Sequence, residues 1–430
     1  MKPREHGGLR IAYLIQSIGW DPDYQGGDSV QIQHVLRWLR SAGHHVTLVA
    51  SRPNRKVLLS SGTAPWLLAD FGFSSARVPE LVERGARRFQ SGLRLPWLQV
   101  FDSLRLYDAC GQHLRNCDLL HERNSMYGFG VALASRRFKL PYVLSVDADF
   151  LQEHDYLGIS HTRLEREIVK RTAHYNYRAA HAITTVSDET KQHLVSCDGV
   201  PEGKVYVIPN GAEIHPPQDQ HSLRVKRAEL HLDRQPIVMF VGSFNTWHGI
   251  DILVDAFKSV VLSEPRARLL LVGDGETHPA IEKLVQQSGL ADQVTSVGRI
   301  AHQEVPLFLE LADVVVAPYP RFSVPFWGSP LKIFEYMAAG KAIVASRVGQ
   351  IAQVLKHRET ALLVEPGDGQ AMAAAILQLL ASTELRNALG RAARRTAERH
   401  HSWQKFVERL EEVYDRAIAG AHREWNSNAK

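Results

Sequence analysis

Residues 329–340 read Ser-Pro-Leu-Lys-Ile-Phe-Glu-Tyr-Met-Ala-Ala-Gly and stand between two short apolar runs of the strand type. Pro330 suits the first position of a helix, and the apolar residues after it recur on one face at helical spacing. Lys332 and Glu335 then lie on another face, one turn apart. A lysine in the first turn opposes the positive end of the helix dipole unless an anion binds there. The segment therefore predicts a phosphate site at a helix start, with a carboxylate behind it.

Short apolar runs alternate with helical patterns along the whole chain, which predicts parallel sheets wrapped by helices. Strands are predicted at 10–16, 45–50, 118–122, 142–146, 182–186, 205–208, 237–241, 268–272, 294–297, 314–317, 342–345 and 361–364. In the first half, helical patterns are clearest at 29–41, 128–138, 162–180 and 187–196. Residues 55–115 are less regular, and we interpret them as inserted helices and loops.

The length of 430 residues favours two domains of about 200 residues each. A polar, proline-rich stretch at 213–236 interrupts the alternation and is interpreted as a linker with one short helix. The predicted fold class is α/β, with two doubly wound, Rossmann-like domains at 1–212 and 213–400. An amphipathic helix within 401–430 is expected to cross back to the first domain. Such sheets bind ligands beyond the carboxyl ends of their strands, so we expect the site in a cleft between the domains.

The composition is that of a soluble globular protein, with 44% hydrophobic and 23% charged residues. No apolar run approaches the roughly 20 residues that a membrane-spanning helix needs, and the first eight residues are polar. We therefore expect a cytoplasmic protein. Cys110, Cys117 and Cys197 show neither metal-ligand pairing nor a C-x-x-C motif, which favours reduced thiols.

The net charge of +5 is mild, but arginines are concentrated among aromatic and aliphatic residues between positions 84 and 105. Such a mixture can attach to anionic lipid or to nucleic acid, and a solvated helical face is the alternative interpretation. Between the two anionic partners we expect lipid, as a peripheral contact at the inner face of the cell membrane, and no nucleic acid.

Glycine-rich loops follow the first strand of each predicted domain. Gly26-Gly27-Asp28-Ser29 begins a helix, and paired glycines let the backbone approach a ligand closely at a helix N-terminus. In the second domain His248 follows the strand-end glycine Gly242 and could donate to a phosphate. Gly273 and the segment 298–300 end further strands and could cradle part of a nucleotide. Ligand-free turns and a structural histidine are the alternative readings of these positions.

Together these segments resemble the retaining nucleotide-sugar glycosyltransferases of family 4, whose fold of two Rossmann domains is called GT-B. The matching pieces follow the family's order along the chain: Gly26-Gly27, Ala42-Gly43-His44-His45-Val46, Val186-Ser187-Asp188, Val207-Ile208-Pro209-Asn210-Gly211, Val241-Gly242, Val272-Gly273-Asp274-Gly275, Ala312-Asp313-Val314 and 329–340. The resemblance implies transfer of a sugar from a UDP-, GDP- or ADP-sugar to an acceptor hydroxyl, with retention. Because no acidic metal cluster accompanies the predicted phosphate site, we expect neither a metal ion nor a cofactor. Gly27 and Gly273 then border the donor.

The resemblance also assigns roles within the decisive segment. Glu335 corresponds to the glutamate that binds the ribose hydroxyls of the donor, for which a carboxylate is a suitable acceptor. Backbone amides around Pro330 and Leu331, next to Ser329, lie where the family holds the diphosphate. Ile300 matches the position where the base stacks or is read by the backbone.

Three positions depart from the family pattern. Trp327 stands where a first glutamate contacts the donor sugar, and Ser243 and His248 stand where an arginine and a lysine bind phosphate. Two cations are therefore missing from a site that must stabilise a leaving diphosphate. We hypothesise that Lys332 supplies the charge, with His248 assisting as a neutral donor or as a cation.

The acceptor side is less specified. Many family members place a histidine after the strand at 142–146, and Asp147 is its counterpart here. Asp147 or Asp149 is expected to orient or deprotonate the acceptor hydroxyl, the alternative being an aspartate that caps a helix. Glu122 and Arg123, at the end of another strand, are further candidates.

The acceptor expected from these features is a glycan or lipid-linked sugar of a surface polysaccharide or lipopolysaccharide. A small soluble acceptor, such as a natural product, is the alternative. Other interpretations are a catalytically silent sugar-nucleotide-binding homologue and an epimerase of similar architecture. A nicotinamide-dependent oxidoreductase is disfavoured, because the loop at 26–29 lacks a G-x-G-x-x-G fingerprint.

Overall fold

The computed structural model describes residues 8–16, 27–52, 56–62, 67–68, 77–92, 100–156, 158–232 and 235–427. Gly26 and part of the arginine-rich segment, including Arg94 and Trp97, lie outside these ranges. Contacts divide the chain into two compact units. The first comprises Met1–Tyr24, Ile32–Ile208 and Val407–Lys430, and the second comprises Gln25–Gln31 and Pro209–Phe406.

The first unit is built on an eight-stranded sheet. Its strands are β1 Arg10–Ile15, β2 His45–Arg52, β3 Lys56–Ser60, β4 Leu67–Leu68, β5 Leu119–Arg123, β6 Tyr142–Ser145, β7 Ala182–Thr185 and β8 Val205–Val207. They are ordered β4-β3-β2-β1-β5-β6-β7-β8, and all pairs are parallel except β2–β3 and β3–β4.

The helices from the first part of the chain are α1 Gly27–Ser41, α2 Arg77–Gly92, α3 Val100–His113, α4 Gly130–Phe138, α5 Phe150–Tyr156, α6 Arg163–Ala179 and α7 Asp188–Ser196. The chain ends with the long helix α16, Trp403–Ser427, which is assigned to the first unit from Val407 onward. Two histidines hold it there. Glu411 Oε1 lies 2.9 Å from His44 Nε2, and Tyr414 OH lies 2.6 Å from His121 Nδ1.

The second unit is built on a six-stranded, all-parallel sheet. Its strands are β9 Ile237–Val241, β10 Arg268–Val272, β11 Val294–Gly298, β12 Val314–Ala317, β13 Ala342–Ser346 and β14 Leu362–Val364, in the order β11-β10-β9-β12-β13-β14. Its helices are α8 Gln220–Glu229, α9 Ile250–Ser263, α10 His278–Gln287, α11 Val305–Leu311, α12 Leu331–Ala338, α13 Gly349–Val354, α14 Gly369–Ala381 and α15 Thr383–His400.

Strand β9 shows why the strands of this sheet could be predicted from the sequence. All five of its residues, Ile-Val-Met-Phe-Val, are buried, because helices cover both faces of a parallel sheet. Met239 and Val241 belong to the apolar cluster that contains Phe334 of α12, whereas Phe240 belongs to a second cluster with Phe257 of α9. Helix α12, which carries the predicted phosphate site, is thus packed against one face of the sheet.

The predicted α/β fold class is confirmed, and the twelve predicted strands lie within two residues of observed strand bounds. The expectation that 55–115 contains only helices and loops is wrong, because β3 and β4 extend the first sheet by antiparallel pairing. Three apolar residues in β3 and two in β4 are too few for alternation to identify a strand. None of the helices within the described ranges combines the length and apolar character that crossing a bilayer requires.

Candidate functional site

The second sheet opens at the point where its strand order reverses, between β9 and β12. The two strands pair directly over two residue pairs, the last of them Val315 with Met239. Beyond it the hydroxyl of Tyr336 on α12 accepts a hydrogen bond from the Val241 N–H (3.0 Å) and donates to the Val316 carbonyl (3.3 Å). A topological switch point is where open α/β sheets bind ligands. Tyr336 therefore fixes the strand ends at the expected place for a site.

Lys332 occupies this opening. It is 7% exposed, and its Nζ lies 4.1 Å from the ring centroid of Phe240. A Cβ on Gly242, just after β9, would lie 2.7 Å from Nζ, so a side chain at this position would displace the lysine. Nζ has no hydrogen-bond partner among the described residues. Burial lowers the pKa of Lys332 to about 7, partly opposed by the charge of Glu335. An unpaired buried amine costs free energy unless an anion arrives to pair with it.

His248 stands beside Lys332 in a fixed tautomer. Its Nδ1 bonds the Ser243 carbonyl, which can only accept, so Nδ1 carries the proton. Burial and the nearby charge of Lys332 hold the pKa of His248 well below its usual value. A neutral His248 therefore presents a lone pair at Nε2. It accepts hydrogen bonds in this state and could donate to a phosphate only as a cation, which argues against the predicted neutral donor.

The loops after β9 and β10 interlock tightly. A Cβ on Gly273 would lie 1.9 Å from the Gly242 carbonyl oxygen, so Gly273 admits no side chain. Phe244 N–H donates to the Asp274 carbonyl at 3.0 Å. The hydroxyl of Ser243 lies 3.3 Å from the Asn245 side-chain nitrogen, and both face the surface. The structure thus brings Gly273, Ser243, His248 and Lys332 together in one unit.

An aromatic cluster directly precedes Trp327, the position where the resemblance predicts a carboxylate. Phe322 and Phe326 stack with centroids 4.8 Å apart, and Phe326 also lies 5.0 Å from Tyr319. Trp327 is 8% exposed and continues this segment. His248 packs edge-on against Tyr319 at 5.7 Å. The chain therefore presents aromatic rings and a neutral imidazole here rather than an acid.

A polar relay supports the start of α12. The Ser329 carbonyl accepts from Asn210 Nδ2 at 2.9 Å, and Asn210 Oδ1 accepts from Gln31 Nε2 at 2.6 Å. Ser329 Oγ is buried without a hydrogen-bond partner among the described residues. Because residues 25–31 are assigned to the second unit, Gly27, at the start of α1, belongs to the same unit as Leu331 and Ser329. Asn210 was quoted within a family match but received no role from the sequence.

The outward face of α12 is formed by Leu331 and Glu335, since the other six residues of the helix are buried. Glu335 Oε1 lies 2.7 Å from His302 Nε2. Ile300, the predicted base position, packs against the same apolar cluster as Phe334. The predicted diphosphate, ribose and base positions thus lie within one unit, Leu331 and Glu335 on adjacent turns of α12. His302 was missed, since 33 residues separate it from Glu335.

The acceptor-side candidates lie in the first unit, at the carboxyl ends of its strands. Arg123 and Asp147 form an ion pair at 2.9 Å and are partly exposed. Glu122 is fully buried and accepts a hydrogen bond from the Tyr142 hydroxyl at 2.5 Å. Burial raises the pKa of Glu122 to about 8, while Tyr142 opposes that rise. Glu122 thus has a partner inside the unit, and Arg123 and Asp147 are the more accessible pair.

Asp149 caps a helix, which was the alternative interpretation from the sequence. Its Oδ1 accepts from the N–H groups of Leu151 (2.8 Å) and Gln152 (3.2 Å), at the start of α5. His193 on α7 lies 3.2 Å from its other oxygen. Burial would raise the pKa of Asp149, but His193 and the backbone donors lower it below its usual value. Among the described residues, no group of three or more His, Cys, Asp or Glu is placed to hold a metal ion.

Two family models match the chain. One, described as glycosyl transferases group 1, matches residues 235–382, and the other, described as glycosyltransferase family 4, matches residues 25–215. An uncharacterized glycosyltransferase of Methanocaldococcus jannaschii is 26% identical over 309 residues, which cover 70% of this chain and 76% of that one. The MMP alpha-(1→4)-mannosyltransferase of Mycolicibacterium hassiacum is 26% identical over 430 residues, covering 96% and 99%.

Solved structures share the fold. The crystal structure of Anabaena HepE in complex with UDP superposes with a TM-score of 0.69 at 18% identity, covering 95% of this chain and 100% of that one. The two family models match parts of both units of the chain.

Proposed function

We propose that this chain, a glycosyltransferase of the GT-B fold, transfers a sugar from a nucleotide-sugar donor with retention of configuration and without a metal ion. The observation that carries the donor site of this proposal is the buried Lys332 Nζ, which has no hydrogen-bond partner among the residues that the structure describes. Retention of configuration is proposed from the family resemblance. A diphosphate there would pair with the ammonium group. It would also meet the N–H groups of Leu331 and Lys332, the first two of α12, for which the helix itself provides no acceptor.

In the proposed mechanism the bond between the anomeric carbon and the diphosphate oxygen breaks first. Lys332 stabilises the charge that develops on the departing diphosphate, as preorganised cations do at leaving groups. The acceptor hydroxyl attacks the oxocarbenium-like carbon from the face that the diphosphate leaves, and its proton passes to a departing phosphate oxygen. The products are the nucleoside diphosphate and the glycosylated acceptor. Positioning of the two substrates supplies much of the rate.

The donor is a UDP-, GDP- or ADP-sugar in this proposal. Glu335 accepts hydrogen bonds from the ribose hydroxyls, and Ile300 borders the base. Trp327 and the rings of Phe322 and Phe326 line the sugar side. A neutral His248 accepts a hydroxyl hydrogen bond at Nε2 or becomes protonated when the diphosphate binds. Because Lys332 compensates the leaving charge, no divalent cation is required.

For the acceptor we propose a glycan or lipid-linked sugar of surface polysaccharide or lipopolysaccharide assembly. Arg123 and Asp147 are the residues proposed to contact it. Support for a membrane-bound acceptor comes from α2, where Leu81 is 65% exposed and Arg84 and Arg88 lie on the same face. The protein would then act in the cytoplasm at the inner face of the cell membrane.

The experiment combines the protein with UDP-, GDP- and ADP-sugars that carry a labelled hexose, and with membrane lipid or soluble sugar acceptors. The expected result is label transfer from one donor class, unaffected by EDTA, with the anomeric configuration of the donor preserved by NMR. An inverted product or an absolute metal requirement contradicts the proposal. Label found in free sugar or in an epimer, without acceptor, indicates hydrolysis or epimerisation.

A catalytically silent nucleotide-binding homologue is the second candidate. It is favoured by Trp327 and Ser243, which stand where the resemblance predicts an acid and a cation. Nucleoside diphosphate binding without transfer to any acceptor tested would support it.

A further inference from the structure

A histidine outside all predicted positions contacts the predicted ribose anchor. His302 lies in a short turn between β11 and α11, and its Nε2 is 2.7 Å from Glu335 Oε1. The two side chains are 30% and 20% exposed, so the pair lies at the surface of the second unit where a ligand can reach it. A carboxylate oxygen only accepts, so His302 Nε2 carries the proton of this bond.

Two hydrogen bonds between Ala301 and Glu304 stabilise the turn that carries His302. Glu304 N–H donates to the Ala301 carbonyl at 2.9 Å, and Glu304 Oε2 accepts from the Ala301 N–H at 3.2 Å. Glu335 is equally fixed, because its neighbours Phe334 and Tyr336 are almost fully buried. The histidine–carboxylate bond therefore joins two rigid backbones, and it sets the rotamer of Glu335.

The hydrogen bond from His302 is made to Oε1, one of the two carboxylate oxygens of Glu335. Glu335 Oε2 makes no hydrogen bond within the part of the chain that the structure describes. Ionised carboxylates are strong acceptors, and a hydrogen bond to a charged group contributes more than a neutral one. A carboxylate held at one oxygen presents the other in a defined direction, which suits a hydroxyl on a rigid ring.

We propose that His302 is a positioning residue that orients Glu335 toward the donor ribose and thereby makes the site prefer ribonucleotides over deoxyribonucleotides. This inference rests on the proposed function, in which Glu335 contacts the ribose. His302 acts through Glu335 and need not touch the nucleotide. Without His302 the carboxylate can rotate away, so the hydroxyl contact weakens while diphosphate and base contacts persist.

The test measures dissociation constants by calorimetry. UDP, GDP and ADP are first compared on the wild-type protein, and the tightest of them is then compared with its 2′-deoxy and 3′-deoxy forms. The wild type is expected to favour the ribonucleotide about 10-fold or more over at least one deoxy form. The same set is measured on His302→Ala, His302→Gln and Glu335→Gln. Lys226→Ala is the matched control, since Lys226 pairs with Glu229 at 2.7 Å and is 23% exposed in the same unit.

His302→Ala is expected to reduce the ribose preference to less than about 3-fold while deoxynucleotide affinity stays near wild type. His302→Gln should restore the preference, because its amide can donate to Glu335 Oε1. Lys226→Ala should keep the wild-type preference, and Glu335→Gln should weaken it. Equal weakening of ribo and deoxy forms by His302→Ala would show a merely structural role and overturn the inference. A wild type without ribose preference, or an unchanged preference in His302→Ala, would overturn it too.

An incorrect proposed function would give a different binding result. If none of the three nucleoside diphosphates binds the wild-type protein, the donor site itself is wrong. Thermal unfolding of each variant shows whether it is folded, and His302→Gln provides the comparison if His302→Ala is not.

Discussion

The Nζ atom of Lys332 lies 4.1 Å from the ring centroid of Phe240, although the two residues come from opposite faces of the second sheet. Lys332 belongs to α12, whose apolar residues pack on one face, and Phe240 belongs to the cluster on the other. The lysine therefore reaches past the end of β9, beside Gly242. The aromatic ring offers it a cation–π contact but no hydrogen bond. This relationship places the Lys332 amine at the switch point of the sheet with no hydrogen-bond acceptor in the part of the chain that the structure describes.

Nucleoside diphosphate affinity should depend on pH through Lys332. Its pKa is lowered to about 7 by burial, so the amine loses its proton as pH rises above 7. Binding the nucleoside diphosphate anion to a protonated Lys332 then requires proton uptake, and affinity should fall by up to about tenfold per pH unit between pH 7.5 and 9. Calorimetry in buffers of different ionisation enthalpy measures this uptake. The same slope in Lys332→Met would assign the titration to another group.

Tyr336→Phe should destabilise the second unit and impair donor binding. The change removes the hydroxyl that accepts from Val241 N–H and donates to the Val316 carbonyl. A buried amide without a partner costs about 1–3 kcal/mol, so the free energy of unfolding should fall by that amount. The loop that begins at Gly242 should become less well positioned, because the end of β9 is no longer held. Donor binding should therefore weaken, so that KM for the donor rises more than kcat falls. Urea unfolding and donor kinetics measure both effects, and an unchanged KM would show that the bridge only stabilises the fold.

The buried carboxyl of Glu122 should make stability fall with rising pH. Its pKa is raised from 4.5 to about 8 by burial, so the folded protein holds a proton that the unfolded chain releases. Between pH 4.5 and 8 this group alone lowers the free energy of unfolding by at most about 1.4 kcal/mol per pH unit. Glu122→Gln removes that dependence. Denaturation curves at pH 5.5, 6.5 and 7.5 should therefore show that the free energy of unfolding of the variant increases relative to that of the wild type as pH rises. The same pH dependence in both proteins would contradict a raised pKa.

Helix α2 should bind anionic membranes through its outward face. Leu81 and Val82 are 65% and 58% exposed, and Arg84 and Arg88 are exposed beside them. Cosedimentation with phosphatidylglycerol vesicles should exceed that with phosphatidylcholine vesicles, and Arg84→Glu with Arg88→Glu should abolish the difference. Arg171→Glu, a 79% exposed position in the same unit, serves as the control. Equal binding to both vesicle types would favour a small soluble acceptor.

The sequence predicted what local patterns encode. Buried parallel strands such as β9 appear as continuous apolar runs, and the helix after Pro330 has a periodic apolar face. It did not predict β3 and β4, whose apolar runs are too short to show a period.

Contacts between segments that lie far apart along the chain also could not be predicted from the sequence. Tyr336 bridges two strands, His302 meets Glu335 across 33 residues, and Asn210 links Gln31 to Ser329. Lys332 was singled out by its place at a helix start, but three-dimensional packing decides that its Nζ has no hydrogen-bond partner within the described ranges. The roles of Glu335 and Ile300 came from the family resemblance, since one carboxylate or one isoleucine has no distinctive local pattern.

Lys332→Met tests whether Lys332 stabilises the leaving diphosphate. The methionine keeps the apolar packing against Phe240. It also removes an amine that destabilises the folded protein at pH 7, because burial lowers its pKa from 10.5 to about 7. The free energy of unfolding of the variant at pH 7 should therefore be equal to that of the wild type or higher. Turnover with the preferred labelled donor should fall about 100-fold or more, with the variant fully folded by circular dichroism. A folded Lys332→Met protein with turnover within about threefold of wild type would show that Lys332 does not stabilise the leaving diphosphate.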